Sequence, residues 1–167
     1  MRIVILTISD RSSRGEREDS SGPIIADMIQ QAFSDATIIH MGIIPDERHI
    51  IGQQLKAWSA SQRVDVILTT GGTGFAPRDV TPEATRDVIE REAPGMAEAM
   101  RAASLQKTPH AMLSRGVVGI RQQTLIINLP GSPKAVRENL EVLLPVLPHA
   151  VELLQDDPDA EAGHQLA

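Results

Sequence analysis

The sequence predicts an α/β fold: a mostly parallel, mixed sheet with helices on both faces and an antiparallel edge hairpin. Three observations carry this expectation. Short β-branched or continuously apolar runs recur at residues 2–8, 37–44, 64–69 and 116–129. Segments with apolar residues at helical spacing lie between them, and strands alternating with helices give a sheet whose crossovers cover both faces. Each main strand also ends in a cluster of small, polar or turn-forming residues, the place where such sheets bind ligands.

Residues 2–8 are apolar on both faces, as a strand covered on two sides should be. Residues 9–22 are rich in Ser, Gly and charge and read as a mobile loop. Pro23 then stands at a favoured first helical position, followed by an apolar face of Ile24, Ile25, Met28, Ile29 and Ala32. Residues 37–44 are a second strand, broken by Pro45-Asp46-Glu47. Residues 48–59 form an amphipathic helix with Ile51, Leu55 and Trp58 inward. Residues 64–69 are the third strand and run into Thr70-Gly71-Gly72-Thr73-Gly74. Thr81 is the expected N-cap of a helix that starts with Pro82 and continues to about Arg91; residues 95–103 supply another helix. Residues 117–120 and 124–129 read as a hairpin around a turn near Gln122. Pro130-Gly131-Ser132-Pro133-Lys134 leads into a helix over 135–144, and a last helix covers 148–154. Residues 1–155 are expected to form one domain, and 156–167 a flexible acidic tail.

Composition excludes several functions. The 167-residue chain has 16 Lys and Arg against 22 Asp and Glu, a net charge of −6, and no cysteine. Thiol nucleophiles, disulfides and Cys-ligated metals are excluded. The acidic balance and three aromatics argue against nucleic acid, which needs phosphate-neutralising cations and stacking platforms. The 41% hydrophobic fraction suffices for a core. No apolar run approaches the roughly 20 residues of a membrane span. A soluble cytoplasmic protein is expected. The histidines show no metal-ligand spacing.

The strand-end clusters suggest anion chemistry. Gly71, Gly72, Thr73 and Gly74 can turn backbone amides toward a phosphate or form a tight strand exit; neither Walker nor GxGxxG spacing is present. Arg78 is a candidate phosphate fork, and Asp79 a magnesium ligand or a helix-start acid. Asp46 is an N-cap or a second carboxylate converging with Asp79. Ser132, Lys134 and the amides around Pro130-Gly131 could hold a second anion or form a rigid turn. Ser9-Asp10-Arg11 is a polar loop start or a further hydroxyl, acid and cation. Phe33 and Trp58 are expected in the core; Phe75, inside the loop after Gly74, either packs or touches the ring of a bound ligand.

The run from Thr69 to Thr85, TTGGTGFAPRDVTPEAT, resembles the signature of molybdopterin adenylyltransferases, the MogA/MoaB family that also includes the G domains of plant Cnx1 and gephyrin. Further resemblance lies in Ser9-Asp10-Arg11, Asp19-Ser20-Ser21-Gly22, Ile44-Pro45-Asp46-Glu47, Arg91 to Met96, Met112-Leu113-Ser114-Arg115 and Asn128 to Lys134. The resemblance implies a three-layer α/β/α sandwich and a homotrimer. It implies transfer of AMP from ATP to the phosphate of molybdopterin, a dithiolene-bearing pterin, with Mg²⁺ required and pyrophosphate released. The adenylylated pterin would then pass to a molybdenum insertase partner. It places the catalytic, metal-binding acids at Asp46 and Asp79. The expected nucleotide- or molybdopterin-binding residues are Ser9, Asp10, Gly71, Gly72, Thr73, Gly74, Arg78, Ser114, Pro130, Gly131, Ser132 and Lys134.

Two other functions are weighed. A non-catalytic molybdopterin carrier would tolerate loss of Asp46, Asp79 or the glycines, and all are present. A nucleotide hydrolase of the CinA type would carry an additional domain, for which this length leaves no room.

Overall fold

The computed structural model describes residues 1–61 and 64–156; the expected tail lies outside the described residues from position 157 onward. Strand β1 (Arg2–Ile8) is followed by a four-residue helical turn, α1 (Asp10–Ser13), and helix α2 (Ser21–Ala32). Next come β2 (Thr37–Ile44), α3 (Arg48–Ser59), β3 (Val66–Thr70) and the short α4 (Thr81–Arg86). The remainder is β4 (Arg91–Glu92), α5 (Pro94–Leu105), a 3₁₀ segment (Pro109–Leu113), β5 (Val118–Arg121), β6 (Thr124–Leu129), α6 (Pro133–Leu143) and, after a 3₁₀ turn, α7 (Leu147–Leu154).

The strands form one sheet in the order β2-β1-β3-β6-β5-β4. β1 is parallel to β2 and β3, and β3 to β6; β5 is antiparallel to both β6 and β4. The expected mixed sheet is therefore present. The β5–β6 turn uses Gln122 at φ 52°, a left-handed position. The central strands alternate between two cores. Ile3, Ile5, Val66, Leu68, Leu125 and Ile127 meet α2, α5, α6 and α7 on one face. Val4, Leu6, Ile67 and Ile126 meet Ile51 and Leu55 of α3 and Ala84 of α4 on the other. Continuous apolar runs are the physical requirement of strands buried on both sides.

Several local expectations are corrected. The helix from Thr81 stops at Arg86 rather than Arg91, because the following chain joins the sheet: Glu90 N donates to the carbonyl of Ile120, and Arg91 pairs with Ile120. Pro94 reinforces the break, since it disfavours helical backbone at Ala93. Thr81 is not the cap; it is the first residue of α4, and its buried hydroxyl donates to the carbonyl of Gly71 at 2.9 Å. The loop after β1 contains α1, capped by the hydroxyl of Ser9, which accepts from Ser12 N. Helix α2 starts at Ser21, ahead of Pro23, because Asp19 Oδ1 accepts from the amides of Ser21 and Gly22 at 3.0 Å each. Trp58 is half-buried and stacks on His40, with ring centroids 4.8 Å apart. Phe75 does not pack within its loop and is 66% exposed.

Candidate active site

The sheet register brings the exits of four strands together. Ile8 lies opposite Ile44, Thr7 opposite Thr70, and Thr70 opposite Leu129. The chain leaving each strand therefore emerges on one edge, carrying Ser9-Asp10, Pro45-Asp46, Gly71-Gly72 and Pro130-Gly131. Two turns are locked side by side there. Thr70 Oγ1 donates to the carbonyl of Pro130 at 2.7 Å, and Ser21 Oγ to that of Gly131 at 3.0 Å. Gly71 and Gly72 have φ of 102° and 62°. A Cβ on Gly71 would sit 2.3 Å from the carbonyl oxygen of Ile8, and one on Gly72 would sit 2.4 Å from Thr81 Oγ1. Both the left-handed backbone and the close packing require glycine.

Asp46 and Asp10 hold each other through the backbone. Asp10 N donates to Asp46 Oδ2 at 2.7 Å, and Asp46 N donates to Asp10 Oδ1 at 3.1 Å. Asp46 is thus not the cap of α3. Arg78 grips Asp10 with two donors at 2.9 and 3.0 Å and reaches Glu47 at 2.7 Å. One guanidinium thereby ties together the loops after β1, β2 and β3. Asp79 closes its own turn: Ala76 N donates to Asp79 Oδ2, and Asp79 N to the carbonyl of Ala76, both at 2.8 Å.

The charges are unequally compensated. The Arg78 hydrogen bonds hold the Asp10 carboxyl below its usual range. Burial pushes the Asp46 carboxyl upward, and the negative charges of Asp10 and Asp79 add to that, against the Asp10 amide and Arg78. Of this pair, Asp46 is therefore the acid whose ionised form is less compensated.

Two cavities open on this edge. One, of about 360 Å³, is lined by hydroxyls and acids, among them Ser9, Ser12, Asp19, Ser21, Asp46 and Gly71. The other, of about 450 Å³, lies against α5, the 3₁₀ segment and α6, with Thr73, Gly74, Ser114, Pro130 and Ala135 in its walls. Gly72, Asp79, Gly131 and Ser132 line both. Asp10, Arg78 and Lys134 lie in neither. The Lys134 side chain is 86% exposed, and Ser132 Oγ caps α6 by accepting from Ala135 N at 3.2 Å. A further cavity of about 500 Å³, at the amino ends of the strands, contains none of these groups. Its buried acid, Asp65, is already bonded to Arg2 and Gln155. Among the described residues, no cluster of three or more His, Asp or Glu could hold a metal unaided, and no helix is long and apolar enough to cross a membrane.

Sequence reading missed Arg115 as a site residue. Its backbone N donates to the carbonyl of Thr73, and its guanidinium donates to the carbonyls of Gly74 at 2.8 Å and Asp79 at 2.5 Å and to the carboxylate of Glu83. It splints the irregular loop on which Asp79 stands. The Met112-Leu113-Ser114-Arg115 segment carried the signal, but its partners lie more than 30 residues earlier in the chain.

Comparison with known proteins matches this architecture. The family described as "Probable molybdopterin binding domain" matches residues 4–149. The chain is 49% identical over 153 residues to the molybdenum cofactor synthesis protein cinnamon of Drosophila melanogaster, covering 92% of this chain but 25% of that protein. It spans about a quarter of the length of such longer relatives. It is 44% identical over 154 residues to the molybdopterin adenylyltransferase of Helicobacter pylori, covering 92% of this chain and 88% of that enzyme. The crystal structure of the molybdopterin biosynthesis enzyme MoaB from Thermus thermophilus superposes with a TM-score of 0.86 at 50% identity, over 94% of this chain and 98% of that one. Two glycine turns flanked by Asp46 and Asp79, on an α/β/α scaffold matched over nearly its full length, place this chain in the molybdopterin-binding-domain family of molybdenum cofactor biosynthesis, alongside the MogA and MoaB proteins.

Proposed function

We infer that the protein is a molybdopterin adenylyltransferase, joining AMP from ATP to the terminal phosphate of molybdopterin with release of pyrophosphate. The observation that carries this is the pair of cavities meeting at Gly72, Asp79, Gly131 and Ser132. A bisubstrate phosphoryl-type transfer needs two pockets whose reactive ends converge on one anion-binding wall. A relative that shares most of its length with this chain carries the same activity in its name.

The chain's own residues supply positioning and charge control. The left-handed Gly71-Gly72 turn turns backbone toward the shared wall, and the turn into α6 offers a helix N-terminus to a second phosphate. Ser132, Gly131, Pro130, Thr73, Gly74 and Ser114 border the molybdopterin side, and Ser9 and Gly71 the nucleotide side. Arg78 and Asp10 hold Asp46 in place from outside the cavities. Lys134 is placed to act on an incoming anion from the rim.

Asp46 and Asp79 suit Mg²⁺. Each commits one carboxylate oxygen to a backbone amide, leaving the other without a protein donor among the described residues. Two carboxylates, completed by water and phosphate oxygens, are the usual magnesium donor set. The ion would supply neutralisation and alignment of the phosphate oxygens. We further propose a cytoplasmic homotrimer that passes its product to a molybdenum insertase. Ile39, Met41 and Ile43, each about 40% exposed on edge strand β2, support burial against another copy.

The decisive experiment is Asp79→Asn. The variant should keep its fold and lose AMP transfer from ATP to molybdopterin by more than about 100-fold. Normal turnover would refute the mechanism. ATP hydrolysis without pterin would point to a hydrolase, and pterin binding without product by the wild-type protein to a carrier.

A further inference from the structure

The second cavity contains a carboxylate that phosphate chemistry does not need. Glu138 lies on α6 and shares a cavity-facing stripe with Ser132, Ala135 and Asn139. Its side chain is 15% exposed, with Lys107 Nζ at 3.5 Å and Lys134 Nζ at 4.0 Å. Apart from Asp79 on the shared wall, it is the only acid among the described residues lining this cavity. Asn139 cannot take the same role, because it has only one acceptor oxygen, and its NH2 is already committed to Ser104 Oγ at 3.0 Å and the carbonyl of Ala135 at 2.7 Å.

Spacing and chemistry then select a ligand edge. Glu138 lies six positions beyond Ser132, and at about 1.5 Å per residue that is ~9 Å along the helix. A pterin with a phosphate on its side chain has a similar span from the phosphate to the far edge of its pyrimidine ring. That edge presents a ring N–H beside an exocyclic amino group. Two parallel donors of this kind match the two oxygens of a carboxylate, as a guanidinium does. Adenine presents an amino group beside a ring-nitrogen acceptor, and a carboxylate repels the acceptor. The remaining walls include Ala111, Leu113 and Pro130, suited to a flat ring.

We infer that Glu138 reads the aminopyrimidinone edge of the pterin, and so decides that the cavity along α6 takes the pterin while the hydroxyl-lined cavity takes the nucleotide. This rests on the adenylyltransferase function proposed above. Glu138 is a specificity-determining residue in this assignment, distant from the reacting phosphates.

The test uses 6-hydroxymethylpterin phosphate as a fluorescent probe. The corresponding lumazine, in which a carbonyl replaces the amino group, is the control. The wild-type protein should bind the pterin at least about tenfold tighter than the lumazine, the discrimination expected when a buried acceptor loses its donor. Glu138→Gln should compress that preference to about threefold or less, with ATP affinity and thermal stability retained. Glu138→Asp, which keeps the charge but withdraws it by one methylene, should fall between. Equal wild-type affinity for the two probes, or undiminished preference in Glu138→Gln, overturns the inference while leaving the enzyme's activity intact. Failure of the wild-type protein to bind either probe overturns the function proposed above together with the inference. GMP carries the same edge on a purine; if it displaces the pterin probe at or below the probe's own concentration, the cavity takes a guanine nucleotide and the pterin assignment is wrong.

Discussion

Asp46 is the residue where stability and chemistry oppose each other. Its carboxyl is raised mainly by burial, then by the charges of Asp10 and Asp79. A carboxyl raised in the folded state favours folding while protonated, and that contribution is lost as pH rises through the folded-state value. At neutral pH the ionised Asp46 therefore costs stability. Asp46→Asn can still accept the Asp10 amide through its side-chain carbonyl. It should raise Tm by about 2 °C near pH 7.5, with the gain fading as pH falls through the raised folded-state value and gone below roughly pH 4, while AMP transfer collapses. Calorimetry at the two pH values checks the sign; a lower Tm at pH 7.5 would refute it. Asp46 and Asp79 were legible as candidates because two acids stand near neighbouring strand exits and both fall in segments that resemble the family; either acid alone reads as well as a cap or helix-start acid. What those exits could not tell is how each acid is held. The Asp10–Asp46 exchange joins residues 36 apart, and the Arg78 contacts join residues 68 and 31 apart. Such pairings depend on strand order, which local pattern does not contain.

At the scale of elements, the segment between β3 and α4 combines a tight glycine turn with an irregular loop, and Arg115 determines where that loop lies. Its guanidinium ties the loop's two ends, Gly74 and Asp79, to Glu83 on α4. Arg115→Met should lower kcat by about 10–100-fold while changing ATP affinity by less than about threefold, since Arg115 lies in neither cavity. Hydrogen exchange at the amides of Ala76 and Asp79, both bonded within the turn, should speed up in the same variant. Unchanged exchange would remove the positioning role. Elements with one buried stripe or an all-apolar run, such as α3, β1 and β3, were readable because their periodicity follows from burial. The end of α4 was not. Val88 and Ile89 fit a helical pattern as well as the sheet-side core they enter, and the partner that ends the helix, Ile120, is distant in sequence.

At the scale of the whole molecule, the proposed site occupies the carboxyl ends of four strands of one sheet. Both cores lie behind that edge, so loops can be specialised without disturbing the packing. The shared wall of Gly72, Asp79, Gly131 and Ser132 has a kinetic consequence. In the proposed reaction each substrate would fill one cavity, and the product would fill both and keep the contacts of each half. That occupancy predicts that the product has the longest residence time, and that its departure, rather than bond formation, sets the pace. Rapid-quench assays should show a burst of about one adenylylated pterin per active site followed by a slower steady phase. A linear progress curve from the first turnover would disprove this. A slow exit also makes the protein a holder of its product: an air-sensitive dithiolene would spend its time lodged in the cavities until a recipient draws it out.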